Sequence, residues 1–192
     1  MCSLRSHFSF SPITGVSQKF LSAKINLPLI HAVQHNLEQR AYLGPPSKTI
    51  KINGDGNCLF RALSYAITGR QTYHEIIRMK IIQHMKSIEN ELKPHLNCSL
   101  DKYLQSSKMS VPGTWGTDIE IFAAASLLST DIFVYTNTND CFQWHLFSVK
   151  MLNGSTPENK CAIYIEHVNR VHFDLVLDVG VPNNNSKYYS TS

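Results

Sequence analysis

Cys58 follows the glycine-rich turn Asn53-Gly54-Asp55-Gly56-Asn57 and opens a segment read as a helix to Thr68, closed by Gly69. A thiol in the first turn of a helix sits at the positive end of the helix dipole, which favours the thiolate. Gly54 and Gly56 let the backbone approach a substrate closely. The N–H groups of that loop (Gly54, Gly56, Asn57) and of Cys58 itself could hold an oxyanion. A short strand, Thr49 to Ile52, precedes the turn, and a nucleophile at a strand–turn–helix bend is a recurring catalytic arrangement. The bland alternative is a buried structural cysteine beside a turn.

A second set of residues makes the first more informative. In Val171-His172-Phe173-Asp174-Leu175-Val176-Leu177 the side chains alternate with period two. Val171, Phe173, Leu175 and Leu177 are expected to face the core, with His172, Asp174, Val176 and Asp178 on the other face. Residues two apart on a strand are about 6.6 Å apart, close enough for a carboxylate to hydrogen-bond an imidazole. His172 is therefore a candidate base, and Asp174 a candidate to set its tautomer and stabilise the imidazolium. The alternative is a solvent-facing polar edge.

Other chemistry in the same residues fails on spacing. Asn53, Asp55 and Asn57 imitate the start of a calcium loop, but Cys58 stands where its Gly belongs and Ser64 where its Glu belongs. The loop lacks the Gly-Lys-Ser/Thr ending of a phosphate-binding loop. Cys141, His145, Cys161 and His167 suggest zinc, yet on strands C-x3-H and C-x5-H separate their ligands by about 13 and 20 Å. No metal is expected.

The elements that must position these residues are read as follows. Residues 1–25 are Ser-rich, carry no acid and are expected to form a flexible tail, with a loose likeness to a transit peptide. Residues 28–43 read as an amphipathic helix ended by Gly44-Pro45-Pro46. Further helices are expected over about Tyr73–Leu92, with Ile76, Ile77, Ile81 and Met85 on one face, and over about Leu100–Lys108. Thr117-Asp118-Ile119-Glu120 is a capping box that starts a helix to Leu128. Strands are expected at Ile132–Tyr135, Trp144–Val149, Ala162–Glu166 and Val171–Leu177, with an antiparallel look. Helices first and strands later suggest an α+β fold, with a small central β-sheet between helical layers.

The chain has 192 residues, 43% hydrophobic and 17% charged, which fits a globular domain with a real core. The net charge of +4 comes with no run of Lys and Arg, so a nucleic-acid partner is not expected. No apolar run approaches the roughly 18 residues of a membrane helix, and no membrane association is expected. Five scattered cysteines without a C-x-x-C pair suggest free thiols in a reducing compartment, the cytoplasm or the nucleus.

The residues also resemble a known family. Asp55-Gly56-Asn57-Cys58-Leu59-Phe60-Arg61-Ala62 resembles the D-G-N/D-C-L-F-R-A/S motif of OTU-type (ovarian tumour domain) cysteine proteases. Trp115-Gly116-Thr117-Asp118-Ile119-Glu120 resembles their W-G-x-x-x-E segment, and Asn169-Arg170-Val171-His172-Phe173-Asp174 their closing N-x-x-H-Y/F-D/N strand. The resemblance covers about residues 47–178. It implies an OTU-type fold over 46–179; residues 1–45, outside the resemblance, are read as an N-terminal extension, partly flexible with one helix, and the Asn- and Ser/Tyr-rich residues 180–192 as a disordered tail.

The implied activity is deubiquitination, the hydrolysis of isopeptide bonds at the ubiquitin C-terminus. Cys58 is then the nucleophile, His172 the general base, Asp174 the residue that orients it and Asp55 a support for the oxyanion loop. Ubiquitin or polyubiquitin is the implied substrate, with no cofactor and a monomeric chain. A catalytically weak ubiquitin-binding module on the same fold is the alternative. A nucleic-acid adaptor is a third class, which a salt-dependent binding assay would expose. Trp115 and Glu120 are expected to serve core packing and the helix cap. Phe173 replaces the family's commoner Tyr, and the stretch between the cysteine motif and Trp115 is short.

Overall fold

The computed structural model describes residues 9–34, 43–138, 141–154 and 160–180. Seven α-helices and five strands occur among them: α1 (Gly15–Lys24), β1 (Pro46–Ile50), α2 (Cys58–Thr68), α3 (His74–Ser87), α4 (Glu89–Leu92), α5 (Leu100–Ser107), α6 (Asp118–Leu128), β2 (Ile132–Thr138), β3 (Cys141–Phe147), α7 (Val149–Asn153), β4 (Ile163–Val168) and β5 (His172–Val179). The strands form one sheet in the order β1-β5-β4-β2-β3. Its pairs are antiparallel except β2 with β4, which run parallel, so the sheet is mixed rather than antiparallel throughout. The α+β class is as expected.

Local sequence accounts for the helix boundaries. Gly69 ends α2 with φ 77°, the left-handed conformation that glycine adopts without strain. The capping box at Thr117 is complete: the Thr117 side chain takes the Ile119 N–H, and the Glu120 carboxylate takes the Thr117 N–H at 2.7 Å. Tyr103 donates to the same carboxylate, which leaves Glu120 buried but satisfied. The helix expected over Tyr73–Leu92 breaks at Ile88, between α3 and α4. Ile77, Ile81 and Met85 face the core, but Ile76 is 46% exposed.

The larger core lies between one face of the sheet (Ile132, Val134, Ile163, Ile165, Phe173, Leu175, Leu177) and helices α2, α3 and α6. Phe173 is buried and stacks on His167 with ring centroids 4.3 Å apart, so the ring packs where a tyrosine is commoner. Val171, expected in the core, lies just before β5 and is half exposed. The other face of β5 is not solvent-facing: Val176 and Val179 pack there with Phe133, Tyr164 and Phe10. Asp174 is buried on that strand as well.

Phe10 belongs to the segment expected to be a flexible tail. Residues 9–25 are instead built into the fold. Just before β4, Ala162 N–H donates to Ser11 C=O and Ala162 C=O accepts from Ile13 N–H, while Tyr164 Oη accepts the Ser11 N–H. Thr14 caps α1, whose Leu21 enters the main core beside Ile13 and Ile25. Gln18 is fully buried because both ends of its amide are used: it donates to Ala66 C=O at 2.7 Å and accepts from Val33 N–H at 2.8 Å. The helix expected over 28–43 is absent from residues 28–34, and the remainder of that range lies outside the described residues. The same holds for residues 1–8 and for the tail from 181 onward. No described helix is long and apolar enough to cross a membrane.

Candidate active site

The turn 53–57 connects the strand end at Ile50 to α2, and α2 packs against β5. That packing brings the first turn of α2 and the start of β5 to one end of the sheet, with Cys58 on one and His172 on the other. Cys58 is 5% exposed. The N–H groups of a helix's first turn have no intrahelical acceptor, so those beginning at Cys58 are available to an anion.

His172 is oriented by a carboxylate. Its Nε2 lies 3.2 Å from Asp174 Oδ1. Asp174 is buried, and burial works to raise its carboxyl. The Lys51 ammonium, the Ile52 N–H and the His172 ring outweigh burial and hold it below the usual carboxylate range. Ile52 N–H donates to Oδ1 at 3.0 Å and Lys51 Nζ to Oδ2 at 2.8 Å. An ionised Asp174 can only accept, so Nε2 carries the proton, and Nδ1 of a neutral His172 ring is the proton acceptor. That nitrogen faces the cysteine loop: a Cβ added at Gly54 would stand 3.8 Å from both Nδ1 and Cε1. Glu166, opposite Asp174 on β4, has its carboxyl pushed up by burial and then by the Asp174 charge.

Asp55 does a different job. Its carboxylate is clamped by the Arg61 guanidinium, with Nε at 3.0 Å from Oδ1, and it accepts the Asn57 N–H at 3.1 Å. The Arg61 bonds come first among the causes that hold its carboxyl well below the ordinary range, against a smaller opposing effect of burial. The pair ties the loop to the second turn of α2.

Asn57 holds the loop rather than offering it to a ligand. Its N–H is engaged by Asp55, and its Oδ1 accepts from Arg78 Nη2 at 2.9 Å and from Gly113 N–H at 2.7 Å. Gly56 must be glycine: φ is 80°, and a Cβ would lie 2.1 Å from Gly113 C=O. Gly54 has room for a small side chain by the same measure, so its glycine leaves open the space before His172.

Glu120 serves the helix cap as expected. Trp115, expected in the core, is 57% exposed on the loop that Asn57 grips. Lys51, Arg61 and Arg78 were not singled out from sequence. Register offers a signal for Lys51: Thr49 pairs with Val176 and Ile50 with Leu175, so the next position faces Asp174. Arg78 shares the helical face of Ile77, Ile81 and Met85, an unusual place for a cation.

The family model of OTU-like cysteine proteases matches residues 53–173, and the chain belongs to that family. It is 30% identical over 128 residues to OVARIAN TUMOR DOMAIN-containing deubiquitinating enzyme 10 of Arabidopsis thaliana. That stretch is 66% of this chain and 33% of the relative, so the chain spans about a third of the length of the curated relative it matches. Its fold resembles the OTUD1 OTU domain, with a TM-score of 0.57 at 21% identity, covering 68% of this chain and 85% of that one. It also resembles the Hazara virus OTU bound to ubiquitin, with a TM-score of 0.53 at 17% identity, covering 70% and 82%. At these identities the two structures bear on the fold alone.

Proposed function

We propose that the chain is an active thiol isopeptidase that cleaves the bond between the ubiquitin C-terminal glycine and an amine. The observation that carries this reading is the orientation of His172. Nε2 is committed to a buried, ionised Asp174, and Nδ1 is turned toward the loop that leads into Cys58. The OTU family and its deubiquitinating relative support the choice of substrate.

In the proposed reaction His172 Nδ1 takes the proton of Cys58 Sγ, and the thiolate attacks the glycine carbonyl carbon. N–H groups at the start of α2 receive the oxyanion. When the tetrahedral intermediate collapses, the C–N bond breaks and His172 returns its proton to the leaving amine. Water, deprotonated by the same nitrogen, then hydrolyses the thioester and restores the thiol. Asp174 stays ionised throughout and stabilises the imidazolium. Asp55, Gly56 and Asn57 keep the loop in place.

A catalytically weak ubiquitin-binding module is the second reading, and the low exposure of Cys58 favours it. Turnover of ubiquitin–rhodamine and of diubiquitin by the parent and by Cys58→Ala separates the two. The first reading expects turnover by the parent and a loss of at least about a thousandfold in the variant, with binding retained. Equal, near-background rates for two folded proteins that bind ubiquitin would establish the second.

A further inference from the structure

Arg78, on α3, is among the most completely buried large side chains of the protein. Among the described residues every hydrogen bond it donates goes to an uncharged acceptor. Nη2 reaches Asn57 Oδ1 at 2.9 Å and Thr114 C=O at 2.8 Å, and Nη1 reaches Met109 C=O at 3.1 Å and its Sδ at 3.4 Å. The guanidinium lies 3.9 Å from the centroid of the Phe60 ring, and Nε has no partner. Burial lowers the Arg78 guanidinium's own value, and the carboxylates of Glu120, Asp55 and Glu75 act on it from a distance without bonding it, so a buried cation bonded only to dipoles keeps part of its field.

Three segments meet at this one group. Asn57 immediately precedes Cys58, Phe60 is in the same helical turn, and Met109 and Thr114 flank the loop whose Gly113 also bonds Asn57 Oδ1. A loss of the guanidinium would free Asn57 Oδ1 from one of its two donors and detach the 109–114 loop from α3.

Building on the isopeptidase reading, we propose that Arg78 is a positioning residue for Cys58: through Asn57 it fixes the turn that aims the thiol, and its unpaired charge favours the thiolate. It need not touch substrate. The role is distinct from those of His172 and Asp174, which approach from β5.

The test compares Arg78→Met, Arg78→Lys, Asn57→Ala and the Arg78→Met/Asn57→Ala double variant. Folding is checked by circular dichroism. Two readouts are taken: kcat and KM on ubiquitin–rhodamine, and the pH dependence of iodoacetamide alkylation of the Cys58 peptide, followed by mass spectrometry. Arg78→Met is expected to lower kcat about 10- to 100-fold with little change in KM, and to move the alkylation midpoint up by about one pH unit. Arg78→Lys is expected to recover most of the midpoint but not kcat, since one ammonium cannot span Asn57 and Thr114. In the double variant the kcat losses should overlap rather than multiply. Folded Arg78→Met and Arg78→Lys with the parental alkylation profile and kcat would overturn the proposal, as would fully multiplicative losses. If Arg78→Met does not fold, Arg78→Lys decides by the same criteria. A parent that fails to turn over ubiquitin would refute the isopeptidase reading, while the alkylation profile would still decide the role of Arg78.

Discussion

Replacing Asp174 by Asn alters one atom and removes one charge. The side-chain oxygen can still accept from Ile52 N–H and His172 Nε2, the two bonds now made by Oδ1 at 3.0 and 3.2 Å. The new amide then faces Lys51, whose side chain is 80% exposed and can turn to water at little cost. Orientation of the ring therefore survives, and the loss is the attraction between carboxylate and imidazolium. For unit charges about 4 Å apart at an effective dielectric constant near 20 that attraction is at most about 4 kcal/mol. Lys51 neutralises part of the carboxylate and lowers this ceiling. The variant should lose about 10- to 1000-fold in kcat, on the order of 1.4 to 4 kcal/mol, with KM little changed. Stopped or continuous hydrolysis of ubiquitin–rhodamine measures it. Asp178→Asn is the control and should stay within about twofold, because its strand position lies ~20 Å from His172. Asp55→Ala should add its own loss to that of Asp174→Asn, since it acts on the loop through Arg61. Parental kcat/KM in a folded Asp174→Asn enzyme would mean that another group orients His172, and the proposed triad would be wrong.

Other consequences follow from the same geometry. Gly56→Ala should nearly abolish turnover and lower the melting temperature, because its Cβ would collide with Gly113 C=O and φ would be strained. Leu21→Ala should cost about 2 to 5 kcal/mol in urea unfolding, and a chain starting at Leu27 should fail to fold stably, since Phe10, Ile13, Leu21 and Ile25 are core residues. Asp55 has a folded-state carboxyl held below its unfolded value, so its contribution is complete above the unfolded value and is lost as pH falls through the folded one. The stability gap between the parent and Asp55→Asn should accordingly be constant near neutrality and close as the pH is lowered below about 4; it should not exceed about 1 kcal/mol, because the pair is partly exposed. A gap that widens in acid would reverse the sign assigned to this group.

The parts of the fold that were legible in sequence are those whose local chemistry and tertiary role agree. Cys58 to Gly69 carries its own stop signal, Thr117 to Glu120 its own start, and the alternation through Phe173, Leu175 and Leu177 marks the core face of β5. The N-terminal segment was not legible because its buried residues include Ser17, Gln18 and Ser22, which a hydrophobic pattern cannot detect. Gln18 is tolerated inside only because Ala66 and Val33, distant in sequence, satisfy its amide. The parallel pairing of β2 and β4 depends on how the chain returns from β3, which no local signal encodes. At the candidate site, type and spacing alone pick out Cys58, His172 and Asp174, and the structure sets His172 against Asp174 and beside the loop that leads into Cys58. Asn57 was expected to line an oxyanion loop, but its groups are engaged in holding that loop. Lys51 and Arg78 act through partners 123 and 21 residues away, and those distances in sequence hid them.

The central claim is that Cys58 is a nucleophile aimed at the ubiquitin C-terminus. The most direct measurement is capture by ubiquitin carrying a C-terminal electrophile, read by intact mass and by peptide mapping of the adduct. The account predicts a single ubiquitin adduct on Cys58, lost in Cys58→Ser and slowed in His172→Ala. A folded protein that forms no adduct, or one that is labelled at Cys98 or Cys161 instead, would contradict it.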